Sequence, residues 1–251
     1  MKKFFSVLLA LVLVLALTGC GASQDASSGA ESTSAAGEAV SEEPSSEAAE
    51  ASGSESASAF ITVTVVNAGE VEVARQELSV DDLNGDGVCS IDEGLQAAHE
   101  KFYEGSNGYE SAEGEYGLYI TKLWGVENGG AFGYYVDDQM AMSLDDPLSE
   151  GNYLVAYVFA DTANYSDMYT WFDVQTDGDK VTLTLSGYSF DASGAPVASA
   201  VEGISILVDG EDSGLVTDAN GQVTLDLGEG ANHLIEASGD GKSIVPAVIY
   251  Y

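Results

Sequence analysis

From Phe60 onward the chain falls into short runs in which apolar and polar residues alternate. Ile61-Thr62-Val63-Thr64-Val65-Val66 predicts a half-buried strand, because successive side chains of a strand point to opposite faces. Asn67-Ala68-Gly69 supplies a turn, and residues 71–78 read as the returning strand of a hairpin. The period changes after Asp81. Ile91, Leu95, Ala98 and Phe102 recur at helical spacing and predict one helix from Ser90 to about Glu104, with Gly105 as its stop. Strands are expected again at 116–124, 132–136, 153–159 and 169–174, separated by Gly, Asn and Asp clusters. Beyond Lys180 no helical period returns, and 181–186, 204–209, 222–227, 233–237 and 244–250 read as strands. The expected fold class is α+β: a unit with one main helix at 60–174, then a small all-β sandwich at 178–251.

The first fifty-nine residues follow different patterns. Lys2 and Lys3 precede an apolar run from Phe4 to Leu17, broken only by Ser6. That run is short for a spanning helix and reads as a secretory signal. It ends in Leu17-Thr18-Gly19-Cys20, which resembles the lipobox of bacterial lipoproteins. The resemblance implies removal of residues 1–19, acylation of Cys20 and an extracytoplasmic chain held to the cell membrane by lipid alone. Residues 20–59 then form a linker of Ser, Ala, Gly and Glu. Between Gly21 and Ala59 there are eight acidic residues and no basic or aromatic ones. Such a segment buries too little apolar surface to offset the entropy of ordering. As a coil it reaches on the order of 30–40 Å.

Composition narrows the partners. Seven basic residues stand against 42 acidic ones, a net charge of −35. Phosphate neutralisation is excluded as a binding mode, and with it ordinary nucleic-acid binding. An anionic membrane surface repels the chain in the same way. There are two cysteines, Cys20 and Cys89. With Cys20 acylated, Cys89 has no intramolecular partner, so packing or a metal must supply stability.

One segment carries recognisable chemistry. Residues 82–93 read Asp-Leu-Asn-Gly-Asp-Gly-Val-Cys-Ser-Ile-Asp-Glu, which fits the EF-hand loop at every specified position. Counted from Asp82, side-chain oxygens fall at positions 1, 3 and 5 as Asp82, Asn84 and Asp86. Gly87 stands at the sharp turn, Val88 offers its carbonyl, Ser90 its hydroxyl and Glu93 two carboxylate oxygens. Calcium prefers six to eight such oxygens. Ser90 and Glu93 also compose a helix-capping box, which explains both residues without metal. Cys89 reads as core. The strand at 71–78 leaves little room for the usual entering helix, and no second loop matches. An unpaired loop of this kind is expected to bind weakly, at about 10⁻⁴ to 10⁻³ M.

Two looser resemblances concern the folded units. Ile61-Thr62-Val63-Thr64-Val65, the helix at 94–103, Tyr116-Gly117-Leu118-Tyr119-Ile120-Thr121, Gly133-Tyr134-Tyr135-Val136-Asp137-Asp138 and the stretch 148–157 resemble the transcobalamin C-terminal-like domain of bacterial surface proteins. That resemblance implies a β-grasp-like unit, and it makes cobalamin a ligand to consider. Asp209-Gly210 and Thr217-Asp218-Ala219-Asn220-Gly221-Gln222-Val223-Thr224 resemble transthyretin-like sandwiches, which implies a stalk or spacer.

Signals of catalysis are thin. The two histidines, His99 and His233, lie in no zinc-protease or nucleophile-elbow pattern, and His99 is expected on a helix flank at the surface or boundary. Trp124, Tyr134, Tyr135, Tyr165, Tyr169 and Trp171 are concentrated in one unit. They suit either sheet packing or an open platform for a glycan or planar cofactor, in which Trp124, Tyr134, Tyr135 and Trp171 would bind. The expected function is a non-enzymatic, calcium-binding cell-surface lipoprotein in which calcium stabilises a binding or adhesion module. The alternative is capture of a glycan, small molecule or surface protein on the aromatic residues.

Overall fold

A computed structural model describes residues 57–251 except 104, 128, 130, 179, 229–231 and 240. The expected signal, Cys20 and the linker as far as residue 56 lie outside the described residues; Ser58 and Ala59, expected at the end of the linker, instead open the first strand. The described residues belong to one compact unit, Ser52–Tyr251. In chain order, its first part contains β1 (Ser58–Asn67), β2 (Glu70–Asp81), β3 (Cys89–Ser90), the helix α1 (Ile91–Phe102), β4 (Glu110–Gly114), β5 (Gly117–Lys122), β6 (Phe132–Val136), β7 (Gln139–Met140), β8 (Pro147–Leu148) and β9 (Tyr153–Val158). There follow β10 (Met168–Asp177), β11 (Lys180–Phe190), β12 (Pro196–Ala200), β13 (Ser205–Val208), β14 (Glu211–Val216), β15 (Gln222–Asp226), β16 (Leu234–Ser238), β17 (Ile244–Val245) and β18 (Val248–Tyr250).

The α+β expectation is overturned. Strands hold 55% of the described residues against 8% in helical conformation, so the fold is largely all-β with a single α-helix and several sheets. The helix and most long strands stand where their periodicity places them. The balance shifts because β3, β4, β7, β8, β12 and β14 form from segments without apolar alternation.

The principal sheet has the order β2-β1-β9-β6-β7. β1 and β2 are an antiparallel hairpin closed by Ala68 and Gly69, both at positive φ, the geometry that matches strand twist in a two-residue turn. β9 returns parallel to β1, from Thr62↔Tyr153 to Asn67↔Val158, after a crossover that contains α1. Helix α1 covers one face. Its Ile91, Leu95 and Ala98 are fully buried against Ile61, Val63, Val65, Leu154 and Ala156. Ile91 and Leu95 each contribute about 1.5–3 kcal/mol relative to exposure, and the Ala98 methyl contributes less. At Gly94 an added Cβ would meet Leu148 Cδ1 of β8 at 2.6 Å and Leu154 Cδ2 of β9 at 3.2 Å, so the helix is in close contact with both strands there.

The other face of this sheet is buried too. Val66, Tyr135, Val155 and Tyr157 pack against Tyr169 and Val245, with Trp171 and Tyr188 at the edge. That double burial explains why Leu154 to Val158 in β9 has no polar face.

β10, read from sequence as the last strand of the first unit, is hydrogen-bonded to β11 from Thr170↔Gly187 to Asp177↔Lys180. The far edge of β11 is shared, Ser186–Phe190 with β12 and Lys180–Thr184 with β15. A further sheet, β14-β13-β16-β18, packs its Ile206, Ile235 and Ile249 against Val181, Leu183, Val223 and Leu225. The single strand expected at 244–250 is two strands. Pro246 has no N–H to continue a ladder, and the chain changes sheets there. Ile244 and Val245 pair with β10, and Val248–Tyr250 pairs with β16.

Candidate functional site: an acidic loop and an aromatic cleft

The 82–93 loop connects the end of β2 to α1, and it folds around two buried carboxylates. Asp82 is 7% exposed and Glu93 3%. Asp82 Oδ1 accepts the N–H of Gly85 at 2.7 Å and of Asp86 at 3.2 Å, and Oδ2 accepts that of Gly87 at 2.9 Å. Glu93 Oε1 accepts Leu83 N–H at 2.7 Å and Asn84 N–H at 3.2 Å. Its Oε2 accepts Ser90 N–H at 2.9 Å and Ser90 Oγ–H at 3.0 Å. The Ser90 hydroxyl in turn accepts Glu93 N–H, which completes the capping box at the start of α1. Outside, the exposed Asn84 and Asp86 hold each other, with Asn84 Nδ2 donating to Asp86 Oδ2 at 3.0 Å. Gly87 has φ +90 and Gly85 +77, conformations a side chain strains.

All six residues expected to ligate calcium are therefore on one closed loop, in the expected register, and the helix leaves from Ile91. The element entering the loop is a strand. The donor chemistry fits a hard cation: carboxylates from Asp82, Asp86 and Glu93, the Asn84 amide oxygen, the Val88 carbonyl and the Ser90 hydroxyl. Orientation is a separate matter. A carboxylate offers about four lone-pair sites, and all four of Glu93's are engaged, two by loop N–H groups and two by the N-cap Ser90. To hold an ion, Glu93 would have to release the Leu83 and Asn84 N–H groups. Among the described residues, no trio of His, Cys, Asp or Glu side chains is gathered as a metal cluster.

Cys89 is buried with its Sγ directed to Val80 O at 3.4 Å. Burial first, then the nearby Glu93, Asp82 and Asp81 charges, push its thiol pKa up. It is a core residue. His99 departs from its expected surface position: it is fully buried, with Nδ1 at 2.6 Å from Leu95 O and Nε2 accepting Trp124 N–H at 3.0 Å. These partners fix the neutral tautomer with the proton on Nδ1, and burial lowers the ring's pKa. A base so committed has no lone pair to offer a substrate.

The four expected ligand-binding aromatics are not brought together. Trp124 is on the helix side, its ring edge-on to Tyr103 at 5.0 Å. Tyr134 and Tyr135 alternate across β6, the first packing toward the helix-side core and the second toward β10. Trp171 lies tilted against Tyr188, with ring centroids 4.6 Å apart. Tyr135 lies face to face with Tyr169 at 3.7 Å and 5°, and Tyr135, Tyr157 and Tyr169 are each under 5% exposed. The sheet-packing reading thus covers the centre of the aromatic layer.

Its margin is open. A cleft of about 230 Å³ is bordered by Tyr134 and Tyr135 and by residues the sequence reading passed over, among them Tyr157, Phe159, Tyr188 and Phe190. Their i, i+2 spacing was a usable signal, because it sets each pair on one face of its strand. No protein family, curated protein or solved structure matches the chain.

Proposed function

We propose that the chain is an exported, lipid-anchored surface module that binds calcium on its 82–93 loop, the ion stabilising the fold and taking no part in catalysis. The carrying observation is the closure of the loop on Asp82 and Glu93, the first and last residues of the pattern, with α1 leaving where the pattern requires. Four carboxylates on twelve residues, Asp82, Asp86, Asp92 and Glu93, repel one another, and a divalent cation offsets that repulsion. Asp82, Asn84, Asp86, Val88, Ser90 and Glu93 hold it. The ion supplies a positive charge that links the loop to the first turn of α1. The lipobox resemblance at Cys20 and the acidic linker support a position for this loop outside the cell, where millimolar calcium can fill a weak site. The resemblances to transcobalamin C-terminal-like and transthyretin-like modules support a binding or adhesion role with a spacer. Calorimetric titration of the full chain with calcium chloride tests the reading. One saturable site near 10⁻⁴ to 10⁻³ M, weakened in Asp82→Asn, is expected. Absence of saturable heat at millimolar calcium contradicts it.

A further inference from the structure

Separate from the loop, the open margin of the aromatic layer has the chemistry of a receptor for one kind of small ion. Nine aromatic side chains and Met140 border the 230 Å³ cleft, and no Lys, Arg or His does. Phe159 stands edge-on to Tyr157 at 4.9 Å and 64°, and edge-on to Tyr165 at 5.4 Å and 79°. Successive rings near right angles make the walls of a box. Gly133 makes one wall possible, since a Cβ there would fall 2.2 Å from the Tyr157 ring.

Tyr165 is held over this box at a conformational cost. Its φ is +53, a region that non-glycine residues seldom occupy and that marks functional segments when the surroundings enforce it. The enforcement is visible. Asp161 Oδ1 accepts the N–H groups of Ala163 and Asn164, Oδ2 accepts Ser166 Oγ–H at 2.7 Å, and Asp161 O accepts Tyr165 N–H at 2.8 Å. The ring so placed remains 55% exposed.

The charge in the cleft has one sign. Asp167 borders it at 8% exposure, with Oδ2 accepting Asp161 N–H. The phenols deeper in the layer are committed: Tyr169 donates to Asp138 at 2.7 Å, and Tyr135 and Tyr157 are hydrogen-bonded to each other. Few polar groups remain to orient the hydroxyls of a sugar. The volume is below the roughly 300–1,000 Å³ of sites for drug-sized ligands and suits a small one. Ring faces attract cations, a buried carboxylate completes the charge, and a chain of net charge −35 concentrates cations around itself. The molecule already uses this contact internally, with the Arg75 guanidinium 3.8 Å over the Tyr153 ring.

We infer that the cleft bounded by Tyr157, Phe159, Tyr165 and Asp167 binds a small quaternary ammonium group. Titration of the full chain with choline chloride at constant ionic strength, read by tyrosine fluorescence and ligand-observed NMR, tests this. Choline saturates the site, and its neutral isostere 3,3-dimethyl-1-butanol binds at least about ten-fold more weakly. Tyr165→Ala and Asp167→Asn each weaken choline by about ten-fold while circular dichroism is unchanged, and Trp124→Ala leaves it unaffected. Equal binding of choline and the isostere overturns the inference, as does the absence of saturation by choline. So does saturation of the cleft by N-acetylglucosamine while choline fails.

Discussion

Glu93 can be tested without any metal present. Its carboxylate accepts four hydrogen bonds while 3% exposed, two from the loop and two from Ser90. In Glu93→Gln one acceptor oxygen becomes an NH₂ donor. If the remaining oxygen keeps Ser90, the N–H groups of Leu83 and Asn84 face a donor instead of a charged acceptor. A hydrogen bond to a charged group contributes about 1.5–3 kcal/mol, and two that share one acceptor are less than additive. The loop is open to water on its outer side, which recovers part of the loss. A destabilisation of about 2–4 kcal/mol follows. An opposing effect exists: the substitution removes one negative charge from a chain of −35, and lower self-repulsion stabilises the folded state slightly. Urea unfolding in EDTA, followed by tryptophan fluorescence, decides which prevails. The midpoint falls with an unchanged slope, whereas Glu100→Gln, on the exposed side of α1, moves stability by less than about 0.5 kcal/mol. Equal midpoints for Glu93→Gln and wild type, or a rise, would refute the view that Glu93 closes the loop.

Other consequences follow from the same contacts. Gly133→Ala sets a Cβ 2.2 Å from the buried Tyr157 ring, and an overpacking loss of about 1–3 kcal/mol is expected in chemical denaturation, with altered near-ultraviolet dichroism. His99 has a folded pKa below its unfolded value of about 6.5, so the stability it contributes is complete above pH 6.5 and is lost as pH falls through the folded pKa. Melting temperature measured between pH 7 and 5 should therefore fall more steeply in wild type than in His99→Phe. His233, raised by its hydrogen bond to Asp209, acts in the opposite sense: its contribution is present below 6.5 and fades as pH rises through its folded pKa. In a full-length Cys20→Ser chain, Cys89 should react with a disulfide thiol reagent only upon unfolding, because burial keeps its thiol protonated and inaccessible; rapid labelling in native buffer would contradict its place in the core.

How much of this was legible depended on whether a feature is local. The α1 stripe of Ile91, Leu95 and Ala98, and the turn at Ala68-Gly69, are written in contiguous residues, and both were read from them. β12 is exposed at all five positions and β14 at five of six. Strands without a buried face have no alternation to read, and only their neighbours' backbone groups define them. The closed loop at 82–93 was legible as a set because its residues are consecutive. The orientation of Glu93 was not, since capping box and metal ligand call for the same side chains. His99 was misplaced because its partner Trp124 lies 25 residues away. The cleft was missed for the same reason. Its walls come from β6, the end of β9, the segment around Tyr165 and β11, and alternation within a strand tells which residues share a face but not which sheet will meet that face.

The central claim, a specific calcium site on the 82–93 loop, is tested most directly by following the full chain's backbone amides by NMR during calcium titration. The account predicts shifts concentrated at 82–93 and the first turn of α1, largest at Leu83 and Asn84 as Glu93 releases their N–H groups, all saturating with one dissociation constant near 10⁻⁴ to 10⁻³ M. Small, non-saturating shifts spread over the acidic surface would show calcium acting only as a counterion, and would contradict it.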